Sequence, residues 1–133
     1  MKIIAPITAV TAIVLVPLFI RLALNVIKRR GSHRVALGTG DHADLEAAIR
    51  AHGNFSEYVP FALLLILSAE INGSPAWLVA LVALMLVVGR FMHASAIPAG
   101  DLMGRTRGMK LTISALALGA VANLAGLGLW LAG

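Results

Sequence analysis

Four long apolar stretches leave this chain few ways to fold. They are Ile3–Ile27, interrupted by Arg21; Val59–Ala69; Ala76–Gly89, which extends past Arg90 to Ile97 if that arginine is accommodated; and Leu111–Leu131. A helix crossing a bilayer needs about 20 mostly apolar residues. Of the 133 residues, 59% are hydrophobic and only 13% charged, and the charges are bunched between the runs. That is too apolar for a soluble domain. The expectation is an all-α chain, one integral membrane domain built as a four-helix bundle. Its four transmembrane helices are expected near residues 3–28, 42–71, 75–97 and 106–131.

Lys2 ahead of an apolar run fits the start of a cleaved leader. The stretch from Ile3 to Ile20 is long for one, however, and "RLALNVIKRR" follows without a convincing cleavage site. The segment is expected to be retained as the first helix.

The connections set the expected topology. Lys28 to Asp44 is polar and basic, with Gly31, Gly38 and Gly40 as turn formers and Asp41 as the cap of the second helix. "INGSP" (71–75) reads as a tight turn, and Pro75 suits the start of a helix. "IPAGDLMGRTRG" (97–108) reads as a basic loop. Lys28, Arg29, Arg30, Arg34 and Arg50 fall on one connection, and Arg90, Arg105, Arg107 and Lys110 around the other. By the positive-inside rule both basic connections are cytoplasmic and both termini lie on the opposite side. The net charge of +5 thus speaks first to topology, then to anionic ligands, with no sign of nucleic-acid binding.

Length then forces polar residues to membrane depth. Val59–Ala69 has only 11 residues, and counting back about 20 from Ala69 reaches Arg50. The second helix therefore spans only by including "RAHGNFSEYVP" (50–60). Pro75–Gly89 has 15 residues, so the third helix has to include Arg90 and His93. Ionisable groups at that depth are costly unless they face protein or a wet cavity. Arg50, Asn54, Glu57 and Tyr58 stand at i, i+4, i+7 and i+8, which is one helical face. Glu46 lies one turn before Arg50 and is placed to pair with it. Pro60 leaves the Ser56 carbonyl without its helical donor.

Arg29, Arg30, Arg90, His93, Arg105, Arg107 and Lys110 gather at the same end of the bundle. Guanidinium forks suit carboxylates. The residues together imply a basic, partly buried site for a small anionic ligand. For Lys28, Arg29, Arg30 and Arg34 the competing reading is an ordinary positive flank. Arg21 either faces the bundle or snorkels toward the interface.

Other signals are weaker. His33, His42, His52 and His93 lack metal-ligand spacing, so no metal site is expected. The chain has no cysteine, so a thiol nucleophile would have to come from a substrate. Asn54-Phe55-Ser56 and Asn72-Gly73-Ser74 match the glycosylation triplet, the first on a helix face where modification is not expected. Gly119, Gly126 and Gly128 are expected to let the fourth helix pack closely.

"LEAAIRAHGNFSEYVPFALLLILSAE" (45–70) resembles the second-helix signature of the MAPEG family, the membrane-associated proteins in eicosanoid and glutathione metabolism. The pattern is Arg50, Asn54, Glu57, Tyr58 and Pro60, and "RFMH" (90–93) is similar to the family's third-helix element. The resemblance implies a homotrimer that binds glutathione between subunits near the cytoplasmic face. Arg50, Asn54, Glu57 and Tyr58 would hold the tripeptide, with Arg90, His93 and His52 nearby and Arg29 or Arg30 from the adjacent subunit. His52 stands where some members have Gln. An arginine at the start of the fourth helix would stabilise the glutathione thiolate; Arg105 is the first candidate and Arg107 the second. His93 and Ile97 stand where the best-known eicosanoid-forming members have tyrosines, so eicosanoid synthesis is not assigned.

The implied activity is that of a glutathione transferase or peroxidase acting on a lipophilic electrophile or hydroperoxide, with glutathione as co-substrate and membrane lipid as surroundings. A thiol with a pKa near 8.5 has to ionise to attack, and lowering that by about two units takes roughly 2.7 kcal/mol. Two alternatives stand beside it. One is a non-catalytic protein of the same fold binding an anionic lipid or metabolite. The other is a small four-span exporter, which needs a carboxylate deep in helix one; residues 3–28 contain none.

Overall fold

The structure is a computed structural model that describes residues 4–132. It consists of α1 (Pro6–His33), α2 (Ala43–Ile71), α3 (Ala76–Ala96) and α4 (Leu102–Ala132). There is no strand among the described residues. All four helices are long and apolar enough to cross a membrane. Short connections make sequence neighbours antiparallel. The middle of the bundle is α2 and α3. Each also packs on α1 and on α4, whereas α1 and α4 do not approach each other. One flank of α2 therefore meets α1 and the other meets α4.

Two helix ends differ from expectation. The expected start of α1, Ile3, lies outside the described residues, and the helix runs on to His33, with Gly31 inside it rather than in a turn. It stops at Arg34, whose φ of 57° is left-handed. The second difference is at α4, which begins at Leu102, so "LMGRTRG" is helix and not loop. Asp101 Oδ1 accepts the Gly104 amide at 2.9 Å, capping that first turn. Asp41 does not cap α2; it sits at φ 61° in the preceding turn, and His42 is the cap residue. Asp44 and Glu46 supply the negative charge that suits the α2 N-terminus.

On α2 the buried positions are Leu45, Ala48, Ala51, Phe55, Val59, Ala62, Ile66 and Ala69, a stripe repeating every three or four residues. Its counterpart on α4 is made of small residues: Gly108, Thr112, Ala115, Gly119, Ala122 and Gly126. In lipid, helices gain by close approach rather than by hydrophobic exclusion, and small residues permit it. The tightest approach is between α3 and α4. A Cβ on Gly108 would lie 2.6 Å from the His93 nitrogen and 2.7 Å from the Gly89 carbonyl oxygen. A Cβ on Gly89 would lie 2.8 Å from Thr112 Oγ1. Gly119 and Gly126 do meet neighbours closely, but Gly128 faces open space and has no packing role.

Outward faces are strongly apolar, as lipid requires. Ile13 is 70% exposed and Leu124 67%. Trp77 and Trp130 are also exposed. They stand at the start of α3 and the end of α4, so both mark the end away from the arginines, as interfacial aromatics do.

That end is fixed by a residue the sequence reading did not single out. The Glu70 carboxylate, near the end of α2, accepts the Ile7 amide at 2.8 Å, the Thr8 amide at 2.9 Å and the Thr8 hydroxyl at 2.7 Å. Pro6 occupies the first helical turn, where its missing N–H costs nothing. A carboxylate from α2 thus caps α1 and complements its dipole.

Candidate functional site

The centre of the basic end is Arg90. It is buried to 2% exposure, although it is an arginine on a membrane helix. Close approach at Gly89 and Gly108 brings α4 over it. Its Nε donates to Thr112 Oγ1 at 3.0 Å, and Nη1 donates to Asn54 Oδ1 at 2.6 Å. Nη2 reaches Met109 Sδ at 3.8 Å. The Tyr58 ring centroid lies 6.0 Å from the guanidinium carbon. Thr112 can accept because its own proton goes to the Gly108 carbonyl at 2.9 Å.

This network is neutral apart from Arg90. The ion pairs among the described residues are Arg29–Asp44 and His33–Asp44, and neither involves Arg90. A guanidinium has five donors. Two meet oxygens and one a weakly accepting sulfur. A desolvated cation without a counter-ion favours an anion nearby.

The polar face of α2 divides around this centre. Asn54 and Tyr58 are half-buried and turned toward α3 and α4, whereas Arg50 and Glu57 are exposed. Glu46 is exposed too and makes no ion pair with Arg50. Both side chains face outward from the single chain. His93 is buried, one helical turn beyond Arg90.

Arg105 and Arg107 are exposed in the first turns of α4. They differ in direction. Arg105, Met109 and Thr112 are at i, i+4 and i+7, so Arg105 shares the face that touches Arg90. Arg107 is rotated roughly 200° from it.

Three expected site residues lie elsewhere. His52 is on the α1 flank of α2: its ring centroid is 5.2 Å from that of Phe19, and its Nε2 is buried without a partner. Arg29 pairs with Asp44, and its Nε donates to Asn25 Oδ1 at 3.2 Å. Arg30 Nη1 donates to the Ala36 and Gly38 carbonyls, both at 3.1 Å, which closes the α1–α2 connection.

Comparison with known proteins agrees with the four-helix membrane fold. The profile of the MAPEG family matches residues 8–125. The chain belongs to the MAPEG family. Inner membrane protein YecN of Escherichia coli strain K12 is 36% identical over 118 residues, covering 89% of this chain and 90% of the relative. YecN of Escherichia coli O6:H1 strain CFT073 aligns with the same identity and coverage. No solved structure matches significantly. The chain is accordingly an integral, multi-pass MAPEG membrane protein with four helices.

Within this MAPEG chain Met109 and Thr112 complete the Arg90 shell, and neither was expected there. Their signal was the spacing from Arg105, legible only once α4 is known to start before that residue. Among the described residues no group of three or more His, Asp or Glu side chains is arranged to hold a metal ion.

Proposed function

We propose that this protein binds glutathione and activates its thiol for attack on a lipophilic electrophile or hydroperoxide. The observation that carries the proposal is Arg90: a buried cation with unsaturated donors, no carboxylate partner among the described residues, and Asn54 and Tyr58 beside it. Exposed Arg50 and Glu57 extend the site with one charge of each sign. Glutathione carries two carboxylates, an amine and a thiol. Glu57 suits the amine, Arg50 and Arg90 suit the carboxylates, and Arg105 on the Arg90-facing side suits the thiolate.

Transfer to an electrophile forms a carbon–sulfur bond while the leaving group departs with its electron pair. With a hydroperoxide, two glutathiones are oxidised to the disulfide and the O–O bond is reduced to alcohol and water.

Charged residues exposed at membrane depth need cover, and a homotrimer supplies it. The α4 flank of α2 in one subunit, carrying Arg50 and Glu57, would then face the α1 flank of its neighbour, carrying Arg29 and His52. The basic end is cytoplasmic in this reading, by the positive-inside rule.

The test is calorimetric titration of the purified protein with glutathione, followed by turnover of an aryl halide and of an organic hydroperoxide. Binding is expected to weaken strongly in Arg50→Ala and Glu57→Gln, and the bound thiolate to be visible by ultraviolet absorbance. Binding that survives both substitutions unchanged would overturn the site. Binding without thiolate or turnover would leave a non-catalytic binding protein. Light scattering that gives a monomer mass would remove the trimer.

A further inference from the structure

Met109 sits where a thioether is a poor match for its neighbours. Its Sδ lies 3.8 Å from Arg90 Nη2 and 3.9 Å from Asn54 Nδ2. Donors from α3 and α2 thus converge on one sulfur of α4. A thioether is only a weak acceptor. The rest of the Arg90 shell is made of oxygens: Nε has the Thr112 hydroxyl and Nη1 the Asn54 carbonyl. The sulfur occupies a place that suits an oxygen.

Oxidation of the sulfur would supply one. A sulfoxide turns an apolar side chain into a polar one with an accepting oxygen. An N–H···O bond needs only about 2.9 Å. An oxygen bonded to Sδ and lying between the two donors therefore fits gaps of 3.8 and 3.9 Å.

The reaction that adds it balances with a hydroperoxide alone. A sulfur lone pair attacks the terminal oxygen, and the S–O bond forms as the O–O bond breaks. The sulfur is oxidised by two electrons. The departing oxygen leaves with the O–O electron pair and takes up the proton of the terminal oxygen, giving an alcohol. Arg90, with donors to spare, is placed to stabilise the charge on that departing oxygen. Met109 is half-buried early in α4, at the end where the proposed reaction brings hydroperoxides.

We propose that Met109 is an oxidation site: a hydroperoxide converts it to the sulfoxide, whose oxygen takes the open donors of Arg90 and Asn54 and so closes Arg90 to a glutathione carboxylate. The oxidant then turns down the binding of the thiol. That closure rests on the glutathione reading; the oxidation of Met109 does not.

The test treats the purified full chain in detergent with cumene hydroperoxide, without glutathione, and follows each methionine by peptide mass spectrometry. Met92 is the comparison. It is also half-buried at the basic end, but its sulfur makes no hydrogen bond among the described residues. Met109 is expected to oxidise faster than Met92. Calorimetric titration with glutathione before and after treatment is expected to show about tenfold weaker binding, the effect of losing one hydrogen bond to a charged group. Met109→Leu is expected to keep its own affinity through the same treatment. Met103→Leu, which removes a methionine that is 62% exposed, is expected to lose affinity as the unsubstituted protein does. Met109→Gln puts an amide oxygen in place of the sulfur and is expected to bind glutathione about tenfold more weakly than Met109→Leu with no oxidant present. Met109 oxidising no faster than Met92 would overturn the site. So would equal losses of affinity in Met109→Leu and the unsubstituted protein. Preferential oxidation of Met109 in a protein that binds no glutathione in either state would uphold the oxidation site and overturn the glutathione reading, and the closure with it.

Discussion

Arg90 Nη1 donates to Asn54 Oδ1 across 2.6 Å and so ties α3 to α2 inside the bundle. The bond removes an amide and part of a guanidinium from lipid at once. It also turns Asn54 inward while Arg50 and Glu57, on the same polar band, stay outside. One side of α2 thus serves both the fold and the proposed ligand.

That double role can be separated with Thr112. Thr112→Val keeps the shape but removes the acceptor of Arg90 Nε, leaving a buried charged donor without its oxygen. A loss of about 1–3 kcal/mol is expected in denaturation measured in detergent. Thr11→Val is the comparison. Thr11 is also buried, but its hydroxyl serves only the Ile7 carbonyl of its own helix at 2.6 Å. It should cost less than Thr112→Val; equal losses would mean that the Arg90 bond contributes nothing.

The helix crossing gives a second prediction. Gly108→Ala places a methyl group against the His93 nitrogen and the Gly89 carbonyl, atoms that cannot swing away. A loss of at least about 1–3 kcal/mol is expected, the usual range for overpacking. Gly128→Ala meets nothing within 4 Å and is helical, so it should be neutral or stabilising by up to about 1 kcal/mol. Melting curves of the two variants side by side check the contrast.

Those glycines also explain what the sequence did and did not disclose. Four spans were legible because lipid demands about 20 apolar residues each, and the second run fell short by enough to pull "RAHGNFSEYVP" into the helix. The start of α4 was not legible. Gly100, Gly104 and Gly108 all look like loop residues, yet Gly104 and Gly108 lie within α4, Gly108 because the helices touch there. Hydropathy gives no face for α4 either, since its buried stripe is mostly glycine and alanine. Arg90 was expected at the site, but its burial and its link to Thr112 depend on the close approach at Gly89 and Gly108. Glu70 escaped notice because its partners, Ile7 and Thr8, are more than sixty positions away.

Glu70 itself is open to test. Glu70→Gln keeps an acceptor oxygen but loses the charge facing the α1 dipole and one of two carboxylate oxygens. The expected cost is about 0.5–2 kcal/mol, as for loss of a helix cap. Hydrogen exchange should localise it, with the Ile7 and Thr8 amides exchanging faster while α3 amides keep their protection. Unchanged exchange at Ile7 and Thr8 would show that the cap is not formed in the membrane protein.

The arginines of α4 provide the sharpest test of chemistry. Arg105 is on the helix face of Met109 and Thr112, which touch Arg90, and Arg107 is turned away from it. If Arg105 stabilises the bound thiolate, its removal raises the thiol pKa toward about 8.5. The thiolate is the charged form, so losing a nearby cation moves the pKa up and the active fraction at neutral pH down. Arg105→Ala is therefore expected to shift the midpoint of the pH–rate profile upward by about one to two units, or roughly 1.4–2.7 kcal/mol. Arg107→Ala should move it by less than about half a unit, because its charge lies on the opposite side of α4, farther from the thiol, and Coulomb interactions weaken with distance. Ultraviolet titration of the bound thiolate measures the same shift without turnover. A larger shift in the Arg107 variant would put the thiol on the opposite side of α4 and separate it from the Arg90 site.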